Sequence, residues 1–172
     1  MLDATVTELA ENGYRALRFE NVAARAKVAR TTVYRRWPTK ADLVRAALEA
    51  MPGSTATVPD TGDLRKDLIA LGMRGVHFSQ TTHGRALMRL FAADAGEEEL
   101  HSLLQTFRRE RDRGANAILE AAVRRGELPD LATARMIGEL LPAAIFHRGA
   151  VRNQKLTRRF IERLVDFLLQ AA

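Results

Sequence analysis

Eight side chains between Lys27 and Lys40 concentrate the chemistry of this sequence: Lys27, Arg30, Thr31, Thr32, Tyr34, Arg35, Arg36 and Lys40. Lysine and arginine neutralise phosphates, and hydroxyls bond to phosphate oxygens or base edges. A guanidinium can span guanine O6 and N7, and a threonine methyl can pack on the methyl of thymine. Between Arg25 and Arg45 stand seven basic residues (Arg25, Lys27, Arg30, Arg35, Arg36, Lys40, Arg45) against one acid, Asp42, a net +6 that equals the formal charge of the whole 172-residue chain. A pI near 10.4 suits a polyanionic partner.

These residues need a scaffold, and the stretch from Glu20 to Val44, ENVAARAKVARTTVYRRWPTKADLV, supplies it. It reads as two short helices joined by a tight turn, then the start of a third. Val22, Ala23 and Ala26 share a face of the first helix, and Val28 follows in the turn. Val33 and Trp37, four apart, mark the buried face of the second. The second helix is too short to bury Arg30, Thr31, Thr32, Tyr34, Arg35 and Arg36, so it presents them outward. Trp37-Pro38 ends it, because the residue before proline is pushed out of the helical region. Thr39 then caps the next helix with Asp42 as its capping-box partner, and Leu43, Val44 and Ala47 begin that helix's apolar face. The pattern is a helix-turn-helix over about residues 18–37, reading DNA in the major groove. The alternative is a basic solvated face on an ordinary helical bundle, which rarely sits on this spacing.

The run A-A-R-A-x-V-x-x-x-T-x-Y-R-R-W-P-x-K-x-x-L, from Ala23 to Leu43, resembles the N-terminal domain of TetR-family transcriptional repressors. The match covers the turn, the recognition helix and the start of the next helix without a gap. We assign Lys27, Tyr34 and Lys40 to phosphates; in the family the tyrosine position makes that contact. Arg30, Thr31, Thr32 and Arg35 or Arg36 are the candidates for base reading. Lys27 stands where the family often has glycine, so a side chain must accept a strained dihedral. Ala29 stands where serine or threonine usually caps the recognition helix, giving up roughly 1 kcal/mol. A basic arm usually precedes the first helix in the family; here the chain starts almost inside that helix, so the arm is absent or the chain is shortened.

The rest of the chain is expected to be helical too, making the fold all-α: a three-helix DNA-binding domain over 1–51, a linker loop over 52–63 (PGSTATVPDTGD), and a helical effector-binding and dimerisation bundle over 64–172. No period-two pattern survives along it. The first helix runs from about Leu2 to Asn12, with Gly13 at its left-handed cap. Later helices fall at Leu64–Gln80, Gly84–Ala93, Glu97–Arg125, Leu131–Ala150 and Leu156–Gln170 by apolar spacing of three and four. The last helix carries apolar residues nearly all round, which points to a partner beyond its own domain. The stretch RGELPD…FHRGAV…RRFIERLVDFLL resembles the C-terminal effector domain of one TetR subgroup, whose last two helices pair between subunits. Phe146, Phe160, Leu164, Phe167 and Leu168 are the residues expected at that homodimer interface.

An effector site is the least determined part. Met73, Phe78, Met88, Phe91, Phe107, Met136 and Phe146 could line an apolar cavity, with His77 and Glu139 among the polar positions that could orient a ligand. Each of the apolar ones also has a simpler reading as core. No G-x-S-x-G, glycine-rich phosphate loop or H-E-x-x-H occurs, so an enzyme is not expected and no catalytic residue is assigned. No cofactor is implied, and the four histidines lack metal-ligand spacing. The absence of cysteine suits a reducing cytoplasm, and nucleoid association follows from the DNA reading. The longest apolar run, Leu140 to Phe146, is too short to span a membrane.

The reading is a sequence-specific DNA-binding transcriptional regulator: a ligand-responsive repressor that binds a palindromic double-stranded operator as a homodimer and responds to a small-molecule effector. One recognition helix reads too few bases for selectivity, and a two-fold dimer solves this. The competing reading is a helical ligand-binding or interaction protein with impaired DNA binding. Activator and repressor are not separable by sequence.

Overall fold

The structure, a computed structural model, describes residues 1–51, 60–93 and 98–172. Among these it is helical, with no strand. The helices are α1 (Leu2–Ala16), α2 (Phe19–Ala26), α3 (Arg30–Arg36), α4 (Lys40–Glu49), α5 (Leu64–Gln80), α6 (Thr82–Ala93), α7 (Glu98–Arg125), α8 (Leu131–Phe146) and α9 (Arg158–Gln170), with a π-helical turn at His147–Val151 after α8. By packing the chain divides into two units, Met1–Ser54 with Ser79–Glu110 and Thr55–Phe78 with Arg111–Ala172. Thus α6 and the first part of α7 group with α1–α4, although they follow the expected linker in sequence. Residues 52–59 of that linker lie outside the described residues.

In the first unit α1 is the hub, packing against α2, α4 and α6. Its inward face is Ala4, Val6, Leu9, Ala10 and Tyr14, all buried. Hydrogen bonding continues past the expected end at Asn12 to Ala16, but Gly13 adopts φ 76, ψ 178 and breaks the helix into two pieces. Its φ is positive as expected. Its ψ is not that of the left-handed cap, so the glycine makes a kink and the chain turns only at Leu17. Glu8 is also buried in this face, 2 % exposed. Asn21 Nδ2 donates to its Oε1 at 2.7 Å and Arg25 Nη2 lies 3.6 Å from its Oε2. The carboxylate therefore bolts α2 to α1, a link that no local pattern reveals.

The second unit has one apolar core. Leu64, Leu68, Ile69 and Val76 of α5 meet Ile118, Leu119 and Ala122 of α7, Ile137, Leu141 and Ile145 of α8, and Ile161, Val165 and Leu168 of α9. Gly72 allows the α5–α9 approach: a Cβ there would lie 2.7 Å from Ile161 Cγ2. Caps fix the ends. Asp130 accepts from Thr133 N at 2.7 Å and Thr157 Oγ1 from Phe160 N at 3.2 Å. Glu127 Oε2 accepts the first amide of α5, Leu64 N, at 2.8 Å, while its Oε1 accepts from Arg125 Nε at 2.6 Å. The helix expected to reach Ala150 changes hand-hold after Phe146, where Arg152 N donates to His147 O, five residues back.

Candidate nucleic-acid interface

The turn before α3 is set by backbone bonds. Val28 N donates to Ala23 O at 3.0 Å and Lys27 N to Ala24 O at 3.1 Å, the paired closure of a Schellman motif. That closure needs a left-handed residue, and Lys27 takes it with φ 55, ψ 43. A non-glycine residue there costs about 1 kcal/mol. The strain expected from the sequence is present. Ala29 stands at the N-cap of α3 with φ −67, ψ 142 and offers no side-chain bond, also as expected.

Burial then sorts the two faces of α3. Val33 is fully buried and Trp37 8 % exposed, and α3 packs against α2. Lys27, Arg30, Thr31, Arg35 and Arg36 are exposed, with Thr32 and Lys40 half-buried. Thr39 and Asp42 form the capping box at the start of α4: Asp42 N donates to Thr39 Oγ1 at 3.1 Å and Thr39 N to Asp42 Oδ2 at 3.2 Å.

The exposed set is not uniform. Tyr34 is 38 % exposed, its ring stacked on Phe19 with centroids 4.4 Å apart. The Arg30 guanidinium lies 5.1 Å from the Tyr34 ring centroid, and its Nε is 2.9 Å from Glu20 Oε1. Arg36 rests over Trp37 at 5.1 Å. Lys40 Nζ donates to the carbonyl oxygen of Tyr14 at 3.3 Å and sits 4.9 Å from that ring's centroid. Arg35, Lys27 and Thr31 have no side-chain partner among the described residues, so they are the groups most available to a ligand. Phe19 was expected from the sequence to pack beneath the helix-turn-helix, and it stacks on Tyr34; Glu20 was missed as a support, because its contact with Arg30 joins residues ten apart across the turn.

The remaining candidates fall in both units. Met88, Phe91 and Phe107 belong to the first; Met73, His77, Phe78, Glu139 and Phe146 belong to the second. Phe107 is buried and lines a groove of about 800 Å³ with Arg45, Leu48, Glu49, Ser102 and Thr106. Phe91 lies beneath the Arg108 guanidinium at 4.3 Å. His77 and Glu139 are exposed, while Met73 packs partly against the second core. No one unit gathers the eight.

Of the expected interface residues, Phe167 is 66 % exposed. Phe160 and Leu164 are half-buried against the core and Phe146 is half-buried. Leu168 points into the core of its own unit, at 5 % exposure, because it shares the inward stripe of Ile161 and Val165. The helix is therefore two-faced, not apolar all round. On α8, Leu131, Met136 and Leu140 are exposed by 48, 61 and 45 %.

Residues 1–47 match the family described as bacterial regulatory proteins, tetR family, and residues 58–168 match the tetracyclin repressor-like C-terminal domain. The chain belongs to the TetR family. An uncharacterized HTH-type transcriptional regulator of Mycobacterium tuberculosis is 34 % identical over 167 residues, 96 % of this chain and 82 % of that protein. The DNA-binding transcriptional repressor TetR of Mycobacteroides abscessus is 35 % identical over 174 residues, covering 98 % and 90 %. The crystal structure of the TetR-family regulator SCO0332 superposes with a TM-score of 0.69 at 28 % identity, covering 99 % of this chain and 98 % of that one.

As a TetR-family member the chain is a DNA-binding transcriptional regulator, not an enzyme. Among the described residues no helix is long and apolar enough to cross a membrane.

Proposed function

We propose that this TetR-family regulator is a cytoplasmic, nucleoid-associated repressor that binds a palindromic operator as a homodimer and is released by a small-molecule effector. One observation carries the DNA-reading part. α3 buries Val33 and Trp37 while leaving Arg35 and Thr31, with Lys27 in the turn before it, exposed and without a side-chain partner among the described residues. The phosphate set is Lys27, Tyr34 and Lys40, and the base-reading set is Arg30, Thr31, Thr32 and Arg35 or Arg36. In sequence order the division is a DNA-binding domain over 1–51 and an effector and dimerisation domain over 64–172.

The dimer is supported by apolar side chains left in water on the last two helices. Met136, Leu140 and Phe167, with the partly covered Phe160 and Leu164, supply the desolvated centre an obligate interface needs. Leu168 is better read as core. The effector must bind the DNA-incompetent state more tightly than the competent one, or it releases nothing. The relative from Mycobacteroides abscessus carries the description of a repressor, which favours repression over activation.

Sedimentation equilibrium with and without a palindromic duplex tests the reading. It predicts a dimer whose Met136→Glu/Phe167→Glu variant is monomeric, stays helical and loses affinity for the palindrome. A dimer unaffected by that variant would move the interface elsewhere on the chain.

A further inference from the structure

Arg30 opens the recognition helix, yet it is not a free cation. Its Nε faces Glu20 Oε1 at 2.9 Å, and its guanidinium carbon lies 5.1 Å from the ring centroid of Tyr34. That ring is itself stacked on Phe19, 4.4 Å away and tilted by 21°. Phe19 and Glu20 are consecutive residues in the first turn of α2, and Arg30 and Tyr34 are one turn apart on α3. The start of α2 therefore grips the start of α3 through one aromatic pair and one ion pair, and both partners of that grip belong to the DNA-facing set.

Glu20 is the uncommon partner. It is an acid with 46 % of its side chain exposed, set against the first arginine of the recognition helix. Next to a polyanion it is repulsive, so its presence lowers affinity for every duplex. It takes Arg30 through Nε, and 62 % of that arginine's side chain stays exposed. A guanidinium oriented in advance loses less freedom on binding a base than one free to swing to the nearest phosphate. The same acid thus weakens indiscriminate contact and favours the directed one.

We propose that Glu20 is a specificity-determining residue of the DNA interface, holding Arg30 on Tyr34 so that this arginine reads a guanine and does not serve as a general phosphate contact. The inference rests on the DNA-reading function proposed above. Discrimination arises from the ratio of right to wrong partners, and a repulsive group that penalises all duplexes while orienting one reader raises that ratio.

The test uses the full-length protein, a duplex enriched from a random pool and a scrambled duplex of equal length. Affinities are measured for the unaltered protein, Glu20→Gln, Arg30→Ala and the double variant, at two salt concentrations, with helical circular dichroism for each. Glutamine keeps the length and removes the charge. Glu20→Gln is expected to bind the scrambled duplex more tightly, with a salt dependence steeper by about one phosphate. Its preference for the enriched duplex should fall by between about 5- and 150-fold, the range of one bidentate base contact. In the Arg30→Ala background the same change should leave the preference unaltered, because the reader it orients is gone. Should Glu20→Gln strengthen both duplexes equally, or lower the preference as much without Arg30, Glu20 acts as a bulk charge and the proposal is overturned. Were the unaltered protein to enrich no duplex, the DNA-reading function and this inference would both fall, an outcome distinct from the preceding one. If Glu20→Gln lost helicity, Glu20→Ala and Arg30→Lys carry the same comparison: lysine cannot span two acceptors, so a preserved preference in Arg30→Lys overturns the assignment.

Discussion

The ammonium of Lys40 donates to the carbonyl oxygen of Tyr14 across 3.3 Å and lies over the ring of the same residue. The first residue of α4 is thereby tied to the end of α1, just beyond the kink at Gly13. Lys40 was read from the sequence as a phosphate contact, and its tether holds the charge beside the recognition helix. Lys40→Met keeps the stem and removes the charge. It is expected to weaken all duplexes alike and to lower the salt slope by about one, with a stability loss of about 1 kcal/mol. A salt titration of binding, paired with thermal unfolding, checks both; an unchanged slope removes Lys40 from the phosphate set.

Tyr34 separates hydroxyl from ring. Tyr34→Phe preserves the stacking on Phe19 but removes the group assigned to a phosphate. Affinity should fall similarly for matched and scrambled duplexes, with no change in salt slope, because a neutral hydroxyl displaces no counterion. Titration at several salt concentrations measures this. A loss confined to the matched duplex would make Tyr34 a base reader.

Lys27 occupies a left-handed position at φ 55. Lys27→Gly relieves the strain but adds unfolded-state freedom, so a net gain of about 0.5–1 kcal/mol is expected in chemical denaturation. The same change should weaken DNA binding if Lys27 touches a phosphate. Stability and affinity would then move in opposite directions, and a destabilised variant would mean that the lysine stem makes contacts outweighing the strain.

Glu127 gives the acid dependence of the second unit. The backbone amide of Leu64, and then Arg125, hold its carboxyl below the ordinary value of 4.5. A depressed carboxylate contributes stability above its unfolded value, and that contribution is lost as the pH falls through the folded value. Glu127→Gln should therefore be less stable than the unaltered protein at pH 7, and the difference should vanish in strong acid. Urea melts across that range measure it; a gap that persists with Glu127 protonated would mean the carboxylate's charge is irrelevant.

The parts legible in the sequence were those fixed within a turn or two of chain. Thr39 and Asp42, three apart, announced their capping box, and Lys27 and Ala29 announced a strained turn and an empty cap. The positions of Val33 and Trp37 determined which face of α3 stays outside. Gly13 was visible as a break, but whether it caps or kinks depends on ψ, which no local pattern announces. Interactions between distant residues were not legible. Glu8 reads as an ordinary polar position on α1 until Asn21 and Arg25 fold onto it, and Glu20 reads as a helix-start acid until Arg30 meets it. Leu168 and Phe167 are neighbours in an apolar run, and only the seating of α9 on the core of its unit buries one and exposes the other.

The most direct test of the account is a selection of the full-length protein against random duplex DNA at two salt concentrations. It should enrich a palindrome whose half-sites lie about one helical turn apart, roughly 34–36 Å, with affinity falling steeply as salt rises. Binding that is salt-sensitive but blind to sequence, or no binding at either concentration, would contradict the claim that α3 reads an operator.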